Sequence, residues 1–197
     1  MKERHLLYLG IISPIIFWIT TIVCGLMLED YNHFTWLVSE LGALGTRTQY
    51  LFTAGLVLSS ILNIFFVIGL YKYCKMKQLS VIPILFILLY SFLAGPALFP
   101  MPLKLHSIVG LPFPLIILAP ILSLILWRKK EHLLKIRAVA IISFIIMLLG
   151  FSIFFPNVLN GYFGLKQRFL YAGWTVWSVY LAFRFLQLSI NDVRNAK

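Results

Sequence analysis

Six stretches of this chain, at about residues 6–28, 50–71, 79–99, 107–127, 138–157 and 169–190, are apolar over nearly their whole length. Crossing a hydrocarbon core of roughly 30 Å takes about 20 residues of helix, and each stretch is close to that length. The first five contain no Asp, Glu, Lys or Arg. The sixth contains only Arg184, near enough to one end for its long stem to carry the guanidinium to the interface. With 61% hydrophobic and 12% charged residues, the chain lies outside the range of soluble globular domains. The sequence therefore predicts an all-α polytopic membrane bundle of six transmembrane helices, forming a single membrane domain over residues 1–197. The first stretch, behind Lys2 and Arg4, is too long for a signal-peptide core and has no small-residue cleavage site, so it is expected to stay as a helix.

Orientation follows from where the basic residues fall, because Lys and Arg in short loops stay on the cytoplasmic side. Of 17 Lys and Arg residues, only Arg47, Lys104, Lys166 and Arg168 fall on one side of the six-span arrangement. The others, from Lys2 and Arg4 through the clusters at 72–77 and 128–137 to Lys197, fall on the side of the termini. Both termini are thus expected in the cytoplasm, with the protein in the cell membrane, or the cytoplasmic membrane of a prokaryote. The net charge of +11 has this topological explanation, and no nucleic-acid partner is expected. Cys24 and Cys74 fall at opposite ends of their spans, which excludes a disulfide between them.

Proline marks where these helices bend. Pro14, Pro83, Pro96, Pro112, Pro114 and Pro120 lie inside spans, and each removes a backbone donor that a neighbouring group must replace. Three of them in the fourth span predict a kink near its outer end. Phe99-Pro100 and Phe155-Pro156 close the third and fifth spans at the same face, an echo too short to define a repeat.

Between the spans, the outer connection at 29–49 is too apolar for a solvated loop. It is expected to form a short amphipathic interfacial helix from about His33 to Leu41, ending near Gly42. On such a helix His33, Trp36 and Glu40 share a face. His106 begins the fourth span and Arg168 the sixth. Glu40 and Arg168, near the bilayer boundary, are expected either to pair or to grip a lipid headgroup or small zwitterion. His33 and His106 with a carboxylate would suit zinc in type and number, although none of the helix-encoded zinc spacings is present. His106 acting as a helix-end cap is the simpler reading. Nucleophile-elbow, Walker and dinucleotide-binding motifs are missing, and no histidine lies within a span to hold a haem.

The segments Val38-Ser39-Glu40-Leu41-Gly42, Phe99-Pro100 followed by His106, and Gly164-Leu165-Lys166-Gln167-Arg168 followed by Trp174 and Trp177 occur in this order at outer helix ends. In that order and placement the chain resembles domain of unknown function 998, an uncharacterised family of prokaryotic multi-pass membrane proteins. The resemblance covers nearly the whole chain and implies no established activity. It directs attention to Glu40, His106 and Arg168. Acidic residues commonly stand between Phe-Pro and the histidine in that family; here Met101, Pro102, Leu103 and Lys104 do, which counts against a metal.

The candidate ligand-binding residues are therefore Glu40, His106, Arg168, His33, Trp36 and Ser39. The leading expectation is a protein that binds a membrane lipid or small amphiphile in an outward-facing pocket, with no cofactor. A metal-assisted lipid hydrolase or transferase, with His33 and His106 as ligands and Glu40 as general base, is the alternative. A transporter is third, since the spans carry no mid-membrane charges.

Overall fold

The computed structural model describes residues 3–128 and 136–195. Lys2, Lys129, Lys130, Lys135 and Lys197, which enter the orientation argument, lie outside the described residues. The fold is helical, with no strand among the described residues. Among the described residues the α-helices are α1 (Glu3–Met27), α2 (Gln49–Met76), α3 (Ile82–Leu88), α4 (Ala94–Leu98), α5 (Lys104–Gly110), α6 (Leu118–Leu126), α7 (Ile136–Gly150) and α8 (Phe163–Asn195). Segments of 3-10 helix at Leu89–Leu93, Phe113–Ile117 and Phe151–Phe154 join or extend them.

The chain runs back and forth between two ends. At the terminal end, Arg4 on α1 donates to Ser189 Oγ and O on α8 at 3.0 and 2.6 Å. There too Asp192 accepts from Tyr73 Oη at 2.7 Å and pairs with Lys77 at 2.6 Å. The opposite, distal end carries the 29–49 connection, which meets the turn between α4 and α5 and the start of α8: Leu44 N–H donates to the Met101 carbonyl at 2.8 Å and Leu165 N–H to the Phe34 carbonyl at 2.8 Å.

Among the described residues four helical stretches are long and apolar enough to cross a membrane, namely Arg4–Met27, Gln49–Met76, Lys104–Leu126 and Ile136–Phe154. Ile82–Leu98 is a shorter apolar helix. The expected sixth span lies inside α8, whose 33 residues extend about 50 Å at 1.5 Å per residue. Its apolar face, spaced at helical period through Leu170, Trp174, Trp177, Leu181 and Phe185, is buried, against α1 and α7. Much of the aromatic content that lowers its hydropathy thus faces protein.

The prolines act as the sequence predicts. Pro14 cannot donate to the Gly10 carbonyl one turn earlier, and Ser178 Oγ on α8 donates to it instead at 3.0 Å. Beside it, Ser13 and Ser59 exchange hydroxyl-to-carbonyl bonds at 2.8 Å, and the Tyr90 hydroxyl joins Ser59 Oγ at 2.8 Å. The Tyr90 ring stacks on Trp174 at 3.4 Å between centroids. The fourth stretch leaves α-helical geometry between Gly110 and Phe113, at Pro112, and tightens into 3-10 geometry. Cys24 and Cys74 are both free and buried.

The interfacial helix is a correction. Only Val38–Gly42 is helical in the 29–49 connection, as one short 3-10 segment. Asn32 Oδ1 takes the N–H groups of Phe34 and Thr35 at 2.9 and 3.4 Å, the local competition by which Asn turns a chain rather than letting it wind into a helix. Leu37 is extended at φ −65° and ψ 150°. His33, Trp36 and Glu40 therefore do not share a helical face.

Candidate functional site: a distal latch and cavity

The candidate residues separate into two neighbouring constructions at the distal end. The first is a latch that fastens the 29–49 connection to the start of α8. Arg168 projects from the second turn of α8, and its Nη1 donates to the carbonyls of Trp36 and Gly164, both at 3.1 Å. Its Nη2 donates to Tyr31 Oη at 2.8 Å and to His33 Nδ1 at 3.0 Å. All four Nη hydrogens are thereby engaged. The first α8 amides, which have no partner within their own helix, are capped by the same connection, with Gly164 N–H on the Thr35 carbonyl at 3.3 Å. The approach requires glycine at 164, because a Cβ there would stand 2.1 Å from the Trp36 carbonyl oxygen.

Glu40 has a different task from the one expected of it. Its carboxylate accepts from Leu37 N–H, closing the 3-10 segment on itself as in a capping box. Among the described residues it forms no ion pair with Arg168. The guanidinium is already satisfied by carbonyls, a hydroxyl and an imidazole, and the carboxylate by a backbone amide, so neither needs the other.

His33 is half-buried, its ring lying against Gly25 of α1 and edge-on to Tyr31 at 5.0 Å. Accepting from Arg168 requires Nδ1 to be unprotonated. Burial first, and the Arg168 charge second, lower the His33 pKa from its usual value, while burial raises that of Tyr31. The sign is fixed by linkage: the unfolded chain takes up a proton near pH 6.5 that the folded latch resists, so stability is lost as pH falls below about 6.5. Thermal unfolding followed from about pH 7 downward should show this loss. His33→Asn, which keeps an acceptor for Arg168 but cannot titrate, should flatten it.

The second construction is a cavity of about 370 Å³ walled by Val38–Ser39, the distal ends of α2 and α4, both pieces of the broken fourth stretch, the turn after α7 and the start of α8. The break at Pro112 gives it Ser107 and Leu111 on one piece and Phe113 and Pro114 on the other. Most of the wall is apolar. Its polar members are Ser39, His106, Ser107, Gln167 and Tyr171.

His106 caps a helix end. Its Nδ1 lies 3.1 and 3.0 Å from the carbonyls of Pro96 and Phe99. Carbonyls only accept, so Nδ1 carries the proton and, in the neutral ring, Nε2 is an acceptor. The need is created by Pro100, which cannot donate to the Pro96 carbonyl. The second Phe-Pro turn repeats the device, since buried Lys166 donates to the Phe155 carbonyl at 3.2 Å and lies over the Phe163 ring at 4.9 Å. Phe99 and Phe155 also share a backbone conformation, φ −114° and ψ 75° against φ −117° and ψ 92°.

Of the expected site residues, Ser39 and His106 line the cavity, His33, Arg168 and the Trp36 carbonyl make the latch, and Glu40 caps the segment between them. Among the described residues no three His, Cys, Asp or Glu side chains gather as a metal would need. Gln167 and Tyr171 are wall residues that sequence reasoning passed over. Gln167 takes the Val38 N–H on Oε1 at 2.7 Å, which ties the cavity wall to the latch one residue from Arg168. The available signal was their spacing of four, one face of a helix entering an apolar stretch.

Long apolar helices in an all-helical fold, with a recess where they are broken at one end, define a helical membrane protein. The family described as protein of unknown function (DUF998) matches residues 11–184. The chain belongs to that family. No curated protein and no solved structure matches the chain.

Proposed function

We propose that this protein spans the cell membrane six times with both termini in the cytoplasm, and binds a lipid or small amphiphile in the distal cavity, on the outward side. The observation that carries this reading is the cavity itself, about 370 Å³ with a largely apolar wall and a few polar side chains, the general make-up of small-molecule sites. Basic residues gathered at the end opposite the cavity support the orientation. The latch holds Val38 and Ser39 in the wall, so Arg168 and His33 support binding without touching the ligand.

Native mass spectrometry of the purified protein tests it. Wild type should leave its micelle with an amphiphile bound. Ala97→Phe, which adds a ring to a buried wall position, and Ser107→Trp, which adds bulk at an exposed one, should leave bare while melting near the wild-type temperature. A bare wild type, or folded variants with wild-type occupancy, would overturn the reading.

A further inference from the structure

The wall of the cavity also specifies its occupant, and this step rests on the lipid-binding reading above. We infer that the ligand is an uncharged lipid alcohol, a long apolar body ending in a hydroxyl, and not a phospholipid or other charged amphiphile.

Four side chains of the wall keep unused hydrogen-bonding capacity. Among the described residues no Asp, Glu, Lys or Arg lines the cavity. The nearest cations on α8 are already engaged, Arg168 in the latch and Lys166 on the Phe155 carbonyl. A phosphate or carboxylate drawn into this wall would lose its water without meeting a positive charge, which is costly. An ammonium head would find no carboxylate there either.

What remains is polar but neutral. His106 spends its Nδ1 proton on two carbonyls, which leaves Nε2 of this wall residue as an acceptor for a donor. Gln167 spends Oε1 on Val38 N–H, which leaves its amide hydrogens as donors. Tyr171 is 4% exposed, lines the cavity, and its hydroxyl has no hydrogen-bond partner among the described residues. That oxygen keeps accessible surface, since it is not among the fully buried polar atoms that lack a partner, and it is free to bond to whatever fills the cavity. Ser39 donates to Met101 Sδ at 3.4 Å and keeps its oxygen lone pairs. The wall therefore offers an acceptor at His106 and donors at Gln167 and Tyr171 together. A hydroxyl head answers both, giving its hydrogen to one and its lone pairs to the others. An ester or ether head could not donate to His106, and an ionised acid could neither donate nor be neutralised.

The test uses the full-length protein in detergent, titrated with a long-chain primary alcohol and, separately, with the phosphate monoester of the same alcohol. Binding is read from the rise in melting temperature and from native mass spectrometry. The alcohol should bind and stabilise; the phosphate ester should do so much more weakly. Tyr171→Phe removes only the hydroxyl. His106→Asn keeps a donor toward the Pro96 and Phe99 carbonyls while deleting the Nε2 acceptor. Each variant should fold and weaken the alcohol by about fivefold, within the worth of one hydrogen bond. Equal binding of alcohol and phosphate ester, a phospholipid found in the cavity, or wild-type affinity in both variants would overturn the ligand class and leave lipid binding standing. Binding of neither probe, with nothing co-purified, would remove both.

Discussion

Arg168→Ala is expected to destabilise the protein by about 3 kcal/mol, more than the loss of any other hydrogen-bonding side chain at the distal end. One guanidinium serves the carbonyls of Trp36 and Gly164, the Tyr31 hydroxyl and His33 Nδ1, and bonds to a charged donor are each worth about 1.5–3 kcal/mol. The total is well below four such bonds because Arg168 is only partly buried and water replaces some of what is lost. Arg168→Lys should recover less than half, since an ammonium carries three hydrogens at a single point and cannot match a planar fork. The effect should be local first, as protease cleavage within residues 29–49 appears at temperatures where the helices still hold. A melting temperature and cleavage pattern unchanged from wild type would show that the latch does not hold the connection.

The second large effect is expected inside the bundle, at Gly173→Ala. A Cβ at 173 on α8 would stand 2.8 Å from both Met147 N and the Ser143 carbonyl oxygen of α7. Met147 Cγ, at 2.6 Å, could move aside, but the other two are backbone atoms, so no side-chain rotation relieves the clash and the helices must part. Small residues let membrane helices approach this closely, and the dispersion contacts so gained are much of what holds them together. Overpacking typically costs about 1–3 kcal/mol, and with backbone as the obstacle the upper end applies. The check is the yield of monodisperse protein and its melting temperature beside Ala172→Gly, a change at a half-buried neighbour on the same helix. A Gly173→Ala protein as stable as wild type would mean that α7 and α8 do not meet at this distance.

The gross architecture could be read from the sequence because lipid imposes one dominant rule, that a long run without charge winds into helix. The prolines were legible for the same reason, since a missing N–H at Pro14 or Pro112 has a local consequence wherever the helix packs. What local reasoning could not reach was Arg168. Its partners Tyr31, His33 and Trp36 lie 132–137 residues away, and nothing in the spacing of His33, Trp36 and Glu40 announces that Asn32 turns the chain before a helix forms. Charge complementarity suggested Glu40 as the partner of Arg168, whereas in the fold carbonyl oxygens and ring nitrogen are the nearer acceptors. His106 was placed correctly at a helix end, because Phe99-Pro100 leaves carbonyls that some donor must cap.

In the proposed function the recess beside the Pro112 break is an occupied binding site rather than a packing defect between helices. The measurement that bears on it most directly is the mass of the intact protein released from its micelle, wild type beside Ala97→Phe and Ser107→Trp. The account predicts a wild-type chain carrying one co-purified amphiphile and both variants folded and bare. A wild type that emerges without adduct, or variants carrying the same adduct at the same occupancy, would contradict it.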